Sequence, residues 1–246
     1  MPTVVSAFAP ASADLLARRA LLRRVDSKYL LSRRRLDELL APLAPHYAVL
    51  QAAGASLMTY RSLYFDTPDL HCFEEHRRHR RVRQKVRVRH YPDRELTFLE
   101  LKIRRSELVT TKRRLEKRYG DSALGADGLA FLAAHSSLPV GALVPQVWTH
   151  FRRFTLLGLD TDERITVDLD LEVVRADRRA EVAGAAIVEV KQPRFCLTTP
   201  VMAALRRAHL RQGSLSKYCT ALALTRDGLR LSGLRPALRA IEEVTP

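Results

Sequence analysis

The sequence lacks the long apolar runs and the leader features that mark membrane and secreted proteins. Its longest apolar stretches, such as AAIVEV, are strand-sized and fall far short of the roughly 18 residues that a membrane helix needs. The N-terminus carries Pro2 and a mixed stretch instead of a basic head and an apolar body, so we expect no signal peptide. Its three cysteines, Cys72, Cys196 and Cys219, are widely spaced, as is typical of a reducing compartment. We therefore expect a cytoplasmic protein without a membrane span.

Acidic residues are also scarce. The chain has 27 Asp and Glu against 42 Lys and Arg, a formal net charge of +15, which indicates a polyanionic partner: nucleic acid, an anionic membrane or polyphosphate. Aromatic residues make up only 7% and are not interleaved with the cations as stacking platforms would be, so we expect no nucleic-acid partner. Lysines are much rarer than arginines in this chain, so their positions indicate candidate anion-binding residues more selectively. They are Lys28, Lys85, Lys102, Lys112, Lys117, Lys191 and Lys217.

Apolar and charged residues alternate along the predicted strands. In residues 81–91, RVRQKVRVRHY, the cations at odd positions from Arg81 to Arg89 share one face, and Val82, Val86 and Val88 share the other. The pattern repeats in residues 96–105, 164–174 and 185–191. Six or more strands in mostly antiparallel order, with helices at the ends and in insertions, predict an α+β fold with one sheet system.

Periodicity alone leaves two architectures open. An open sheet would pack its apolar faces on helices and expose its charges to water. A closed barrel would instead turn its apolar faces outward beneath helices and line a bore with cations, whose repulsion is costly unless an anion or a metal resides there. In either case we expect one domain over residues 1–246, with a helical N-terminal segment at 10–24 and a helical C-terminal tail at 222–246.

Nine short blocks, in order, resemble the catalytic domain of vacuolar transporter chaperone (VTC) polyphosphate polymerases, a branch of the triphosphate tunnel metalloenzymes. The blocks span roughly residues 24–220: SKYLLS, YRSLYFDTPDL, KVRVRHY, FLELK, TTKRR, FRRF, RITVDLDLEV, IVEVK and SLSKY. The resemblance implies a closed antiparallel β-barrel of about eight strands with flanking helices. It also implies that the arginines of residues 81–91 face into a basic tunnel.

The resemblance further implies a set of site residues. The phosphate ligands and catalytic cations would be Lys28, Arg87, Arg89, Lys102, Lys112, Arg153, Arg164, Lys191 and Lys217, with Ser216 beside the last. In PQVWTHFRRF, Arg152 and Arg153 point to opposite faces, and counting from Pro145 favours Arg153. Glu189 of VEVK matches the family's metal-binding glutamate, and Glu100 is a weaker candidate for that role.

The sequence departs from the related CYTH branch, whose members open with E-x-E-x-K. This chain has Arg24, Asp26 and Lys28 there, so one carboxylate is left where two would stand. The difference favours the VTC branch. It leaves Asp26 either as support for a metal or as the partner of a tunnel cation.

The implied function is a polyphosphate polymerase that uses Mn²⁺ or Mg²⁺ and transfers the ATP γ-phosphoryl group to inorganic polyphosphate. Its partners would be ATP, polyphosphate and phosphate, and product export would require a membrane protein that the sequence does not identify. A G-x-x-x-x-G-K-S/T loop is missing, so side chains would have to hold the nucleotide. Two alternatives stay open: a triphosphatase on the same tunnel, and a polyanion-binding protein without catalysis.

Two smaller groups of residues carry competing interpretations. Asp168 and Asp170 are either an acid-base pair or, the reading we favour, ion-pair partners of nearby arginines. His71, Cys72, His76 and His79 crowd one predicted helix and could suggest zinc. Their spacing fits no familiar zinc site and their neighbours are charged, so we interpret them as a solvated helix face.

Overall fold

One antiparallel sheet of ten strands dominates the computed structural model, which describes residues 3–18, 24–105 and 110–245. The strands are β1 (Val25–Ser32), β2 (Tyr47–Val49), β3 (Met58–Asp66), β4 (Arg83–Tyr91), β5 (Leu96–Arg104), β6 (Thr110–Lys117), β7 (Val144–Gly158), β8 (Arg164–Arg175), β9 (Arg178–Gln192) and β10 (Gln212–Gly213). Their order in the sheet is β10-β1-β9-β8-β7-β3-β4-β5-β6, and β2 pairs with β7 off this path.

Helices lie between and after the strands. The α-helices are α1 (Ala13–Arg18), α2 (Leu36–Leu40), α3 (His71–Arg77), α4 (Gly125–His135), α5 (Pro200–Arg207), α6 (Lys217–Thr225) and α7 (Arg235–Val244). Short 3₁₀ turns cover Thr3–Ala7, Arg33–Arg35, Ala41–His46, Pro92–Arg94 and Val140–Ala142. None of the described helices is both long and apolar enough to cross a membrane.

The predicted helical ends coincide in part with these elements. The expected helix over 10–24 contains α1, and its residues 19–23 lie outside the described residues. The expected helical tail over 222–246 contains the end of α6 and all of α7, with a non-helical stretch between them.

The apolar face of the sheet is buried beneath helices. Val86, Val88 and Leu99 are fully buried, in one core cluster with Leu132 of α4. A second cluster packs the apolar residues of β8 and β9 against α2 and α5. In both clusters the apolar strand residues, which alternate with the charged ones, are shielded from water. The predicted α+β fold, with the apolar residues of the strands beneath helices, is confirmed.

The sheet is strongly curved. β5 is the sixth strand from β1 in the sheet order, and six steps of about 4.8 Å would place the two strands roughly 29 Å apart in a flat sheet. Burial lowers the pKa of Lys102 on β5 to about 7, and the nearby charge of Lys28 on β1 contributes to the shift. Such an influence requires the two lysines to lie much closer than a flat sheet allows, so the polar side of the sheet is concave.

The concave sheet is not a closed barrel. Among the described residues β6 and β10 form the two ends of the strand order and make no backbone pairing with each other. The prediction of a closed barrel is therefore not confirmed, although an open, curved sheet still surrounds an interior. The two edge strands explain why the sheet does not close. β6 is largely exposed and carries Lys112, Arg113 and Arg114, and such charges protect an edge strand from further pairing. β10 has only two residues and so offers little backbone to pair with.

Candidate functional site

The concave face of the sheet carries the charged residues that the sequence singles out. These residues occupy seven strands and the start of one helix: Lys28 on β1, Arg87 and Arg89 on β4, Glu100 and Lys102 on β5, Lys112 on β6, Arg153 on β7, Arg164 on β8, Glu189 and Lys191 on β9, and Ser216 and Lys217 at α6. Directly opposite residues of an antiparallel pair share a face. The register pairs Lys28 with Glu189, Arg164 with Lys191, Arg87 with Glu100, and Lys102 with Lys112, which assigns these side chains to one face, called the polar face below.

The segment leading into α6 crosses the interior from one side of the sheet to the other. Lys28 Nζ of β1 donates a 2.9 Å hydrogen bond to the Leu215 carbonyl, and Lys85 Nζ of β4 donates one of 2.7 Å to Ser216 Oγ. Ser216 is also the N-cap of α6, where its hydroxyl accepts from the backbone of Cys219. Two consecutive residues thus link strands on opposite walls.

A buried aspartate fixes the orientation of α6. Asp66 at the end of β3 accepts a 2.5 Å hydrogen bond from the Tyr218 hydroxyl and also accepts from the backbone of Cys72 and Phe73 at the start of α3. Because Tyr218 is held in this way, the preceding Lys217 projects onto the polar face. Periodicity carries no signal for this contact, which joins residues 152 positions apart.

Two cations of the polar face share the carboxylate of Glu100. Arg87 donates to Oε2 from Nη2 at 2.6 Å and from Nε at 2.8 Å, and Lys112 pairs with Oε1. Burial alone would raise the pKa of Glu100, but Arg87, Arg89 and Lys112 outweigh it and hold the pKa well below its usual value. Glu100 is therefore a charged carboxylate, 2% exposed, with both oxygens engaged.

Two further cations share Asp168. Arg153 donates to both carboxylate oxygens, with Nη2 2.8 Å from Oδ2, and Lys217 pairs with the same Oδ2. Despite burial, which opposes ionisation, these two cations hold the pKa of Asp168 well below its usual value. The interpretation of Asp168 as an ion-pair partner therefore agrees with the geometry.

A stacked aromatic pair supports three of the cations. The rings of Tyr60 and Phe151 are 5.1 Å apart and nearly parallel, at 9°. The guanidinium groups of Arg89 and Arg153 lie 5.2 to 5.5 Å from these rings, and Lys217 Nζ lies 4.6 Å from Phe151. Cation–π contacts of this kind hold a positive charge without neutralising it. The sequence analysis did not select Tyr60 or Phe151, although Tyr60 shares the face of Ser62, which lies opposite Arg89, and Phe151 lies opposite Tyr60.

Glu189 lies beside Lys191 at the β1 side of the site. Its Oε2 is 2.9 Å from Lys191 Nζ, which also donates a 2.8 Å hydrogen bond to Thr166. Burial opposes ionisation of Glu189, but Lys191, Lys28 and Arg153 lower its pKa well below the usual value.

Asp26 is an ion-pair partner for a cation at this edge of the polar face. It lies directly opposite Lys191 on the next strand and pairs with Arg24 at 2.9 Å. Of the two roles left open by the sequence, this contact favours charge pairing over metal support.

The remaining predicted cations have no such neutralising partner. Among the described residues, Lys28, Arg89, Lys102 and Arg164 make no ion pair with a carboxylate: Lys28 bonds a carbonyl, and Arg89 Nε donates 2.9 Å to Ser62 Oγ. Burial, with the charge of Arg153, lowers the pKa of Arg164. The site thus combines cations held by acids with cations that lack a counter-charge, which is an arrangement suited to a multiply charged anion.

The arginine choice in FRRF is resolved by contacts. Arg153 lies on the polar face with Asp168, whereas Arg152 pairs at 2.6 Å with the exposed Asp170, which also pairs with Arg33. A β-bulge on β8 and the positive φ of Asp170, 54°, separate the two aspartates, so they do not form one carboxylate pair.

The histidine-containing helix departs from one expectation. Cys72 is fully buried and His76 is partly buried, so this face of α3 is not wholly solvated as predicted. The reason is that α3 packs against α6 at the end of the interior.

A divalent metal fits the site as an ion shared with substrate. No group of three or more His, Cys, Asp or Glu side chains in the described ranges could hold a metal without other ligands. Mg²⁺, however, commonly takes one or two carboxylates together with waters and substrate phosphates. Glu189, 15% exposed and surrounded by cations, suits that arrangement better than Glu100, whose oxygens are occupied.

Residues 23–124 and 132–226 match the VTC domain family. No curated protein matches the sequence. Among solved structures, a candidate adenylyl cyclase from Hippeastrum described as having a dominant triphosphatase activity is similar, with a TM-score of 0.51 and 13% identity over 81% of this chain and 95% of that one. A candidate adenylate cyclase from Vibrio parahaemolyticus has a TM-score of 0.50 and 12% identity over 82% of this chain and 98% of that one. At these identities the likeness shows a common fold.

Proposed function

The chain belongs to the VTC domain family, and from that premise we propose that it is a metal-dependent polyphosphate polymerase. It would transfer the γ-phosphoryl group of ATP to the end of an inorganic polyphosphate chain and release ADP. The observation that carries the proposal is the concave polar face, where Lys28, Arg89, Lys102 and Arg164 make no ion pair with any carboxylate of the described residues and lie near the carboxylate of Glu189.

The proposed reaction asks the protein for position and charge, and these residues can supply both. Phosphoryl transfer breaks the bond between the γ-phosphorus and the ADP oxygen while a terminal oxygen of the polyphosphate chain bonds that phosphorus, so no nucleophilic side chain is needed. Arginine forks such as Arg89 hold two phosphate oxygens in fixed directions, and lysines such as Lys28 and Lys102 reach single oxygens.

Glu189 would hold the metal, together with substrate phosphates. Mg²⁺ or Mn²⁺ bound there supplies charge neutralisation on the phosphate oxygens. Lys191, 2.9 Å from Glu189 Oε2 in the free protein, would contribute a further cation to the substrate phosphates beside this carboxylate.

A triphosphatase is the second candidate, and the likeness to the Hippeastrum protein favours it. Water would replace the polyphosphate end as the acceptor, and phosphate would be the product. A cytoplasmic location stays an expectation because ATP is the proposed donor, and a membrane-protein partner for product export stays unidentified.

The test uses purified protein, ATP, a short polyphosphate primer, and Mn²⁺ or Mg²⁺, with gel electrophoresis for polyphosphate and a separate assay for free phosphate. Glu189→Gln is compared with Glu181→Gln, the same change at an exposed position of the same strand. We expect a polyphosphate ladder from the wild type and Glu181→Gln and none from Glu189→Gln or in EDTA. Phosphate without a ladder would establish the triphosphatase. Neither product, with retained polyphosphate binding, would leave a binding protein.

A further inference from the structure

Three lysines form a row across three adjacent strands of the polar face. The register places Lys85 of β4 directly opposite Lys102 of β5, and Lys102 directly opposite Lys112 of β6. Directly opposite side chains start about 5 Å apart, and like charges in such pairs are destabilising. The next row, Arg87, Glu100 and Arg114, has a carboxylate at its centre. The lysine row has no carboxylate among its own three residues, and of the three only Lys112 reaches Glu100 in the next row, which leaves Lys85 and Lys102 without an ion pair to any described carboxylate.

Lys85 is the member of this row with no assigned role. Its Nζ is 2.7 Å from Ser216 Oγ, a neutral group, and it makes no ion pair with any carboxylate of the described ranges. It is only partly exposed, and burial lowers its pKa. A partly buried lysine that lies directly opposite another lysine and has no carboxylate partner lowers the free energy of unfolding. No described residue compensates this loss with a negative charge.

A third lysine without an ion pair to a described carboxylate, Lys28, approaches Lys85 and Lys102 from the other wall. Lys28 donates to the carbonyl of Leu215, the residue before Ser216, so the ammonium groups of Lys28 and Lys85 bond to consecutive residues. Lys28 and Lys85 are both among the charges that depress the pKa of Lys102, after burial itself. Three cations without acidic partners therefore converge on one small volume.

We propose that Lys85 is a further phosphate-binding residue, which together with Lys28 and Lys102 holds a single phosphate group of the triphosphate or polyphosphate substrate. The inference rests on the proposed function for its substrate class. Binding of a phosphate would add the counter-charge that Lys85 and Lys102 lack among the described residues, and the ammonium of Lys85 needs to exchange only the Ser216 hydroxyl for a phosphate oxygen.

A structural role for Lys85 predicts different behaviour. If the lysine served to anchor Ser216 and the start of α6, its removal would destabilise the protein and disturb Lys217. If it serves phosphate, its removal leaves the unliganded protein as stable as before or more stable, because a repulsive charge is lost.

The test compares Lys85→Met and Lys85→Arg with Arg113→Met, which removes an exposed cation from the other face of β6. Isothermal titration with sodium tripolyphosphate, without metal, measures binding independently of turnover, and thermal denaturation measures stability. We expect Lys85→Met to raise the Kd about tenfold or more without lowering the melting temperature, because one charge-assisted contact is lost. Lys85→Arg should retain most of the affinity, and Arg113→Met should stay within about twofold of the wild type.

The outcomes separate this inference from the proposed function. Unchanged tripolyphosphate affinity in Lys85→Met, or an affinity loss that follows a lower melting temperature, would overturn the role of Lys85 while wild-type binding and synthesis still support the polymerase. A wild type that binds tripolyphosphate in a Lys85-dependent way but makes no polyphosphate would support Lys85 and overturn the polymerase. A wild type that does not bind tripolyphosphate at all would overturn both.

Discussion

Arg153 and Asp168 lie directly opposite each other on β7 and β8, and the guanidinium group donates to both oxygens of the carboxylate. Lys217, at the first position of α6, pairs with the same carboxylate. One buried acid therefore positions two proposed phosphate ligands: Arg153 on the neighbouring strand, and Lys217 on a helix 49 residues after the acid itself.

Replacement of Asp168 by Asn should lower the free energy of unfolding, and a bound anion should restore part of the loss. Two buried cations lose their counter-charge, and we expect the free energy of unfolding to fall by about 3 kcal/mol. Tripolyphosphate should restore more stability to the variant than to the wild type. Asp170→Asn, which alters exposed ion pairs, should cost less than about 1 kcal/mol. Urea denaturation with and without tripolyphosphate measures both effects, and equal losses in the two variants would contradict the assignment.

The adjacent arginines of FRRF provide a matched pair of variants. Arg153→Met removes a cation of the polar face and should raise the KM for ATP about tenfold or more, because charge-assisted phosphate contacts are lost. Arg152→Met removes an exposed arginine that pairs with Asp170 and should change KM by less than about twofold. Steady-state kinetics of the two variants decide the register, and the reverse order of effects would refute it.

The two glutamates of the site should differ in their effect on metal dependence. Glu189→Gln should abolish activity at all Mn²⁺ or Mg²⁺ concentrations or raise the metal requirement at least tenfold, because the carboxylate is the proposed ligand. Glu100→Gln should leave the metal concentration for half-maximal activity within about threefold of wild type, because both oxygens of Glu100 are engaged by Arg87 and Lys112. Titration of activity with metal tests this, and a larger shift in Glu100→Gln than in Glu189→Gln would contradict it.

Lys102 should make substrate binding depend on protons. Enclosure by the surrounding strands and the nearby charge of Lys28 lower the pKa of Lys102 from 10.5 to about 7, although water still reaches the side chain, so we expect a large neutral fraction in the free protein at pH 8.5. A bound polyanion favours the charged form, and binding at pH 8.5 should therefore take up protons. Titration calorimetry in buffers with different ionisation enthalpies measures the uptake. Lys102→Arg, which is always charged, should bind tripolyphosphate with a smaller uptake, and an unchanged uptake would exclude Lys102 as its source.

The same shift affects the stability of the free protein. Between pH 7 and pH 10.5 the unfolded chain holds a proton at Lys102 that the folded chain has released, so the contribution of Lys102 to the free energy of unfolding rises with pH across this range. Comparison of wild type and Lys102→Met by thermal denaturation at several pH values checks the direction. A difference between the two proteins that stays constant across the range would contradict the assignment.

Strand periodicity predicted correctly which residues of β4 and β5 share a face, but on β8 the bulge beside Asp170 breaks the alternation that had grouped Asp170 with Asp168. Alternation along β4 and β5 grouped Arg87 and Arg89 with each other and Glu100 with Lys102, and the register agrees with both groupings. The motifs indicated which cations to select, and the structure places all of them on the polar face or at the start of α6. Their roles as ligands stay predictions.

The remaining features depend on contacts between distant parts of the chain. Closure of the sheet depends on whether the edge strands β6 and β10 pair with each other, and the alternation of apolar and charged residues carries no information on that pairing. The bond between Tyr218 and Asp66, which orients Lys217, joins two segments by a single pair of side chains. Lys85 could be assigned to the correct face, yet its lack of an acid became visible only when its neighbours on β5 and α6 were in place.

The cations that have no acidic partner among the described residues would make the lifetime of this protein depend on the anions around it. An anion that binds only the folded chain raises the free energy of unfolding by about 2.7 kcal/mol at a hundred times its Kd. Where the open form is cleaved in proportion to its population, that change slows proteolysis about a hundredfold. If the proposed polyanion is that ligand, its supply would govern how much of the protein persists, in addition to how fast each molecule works.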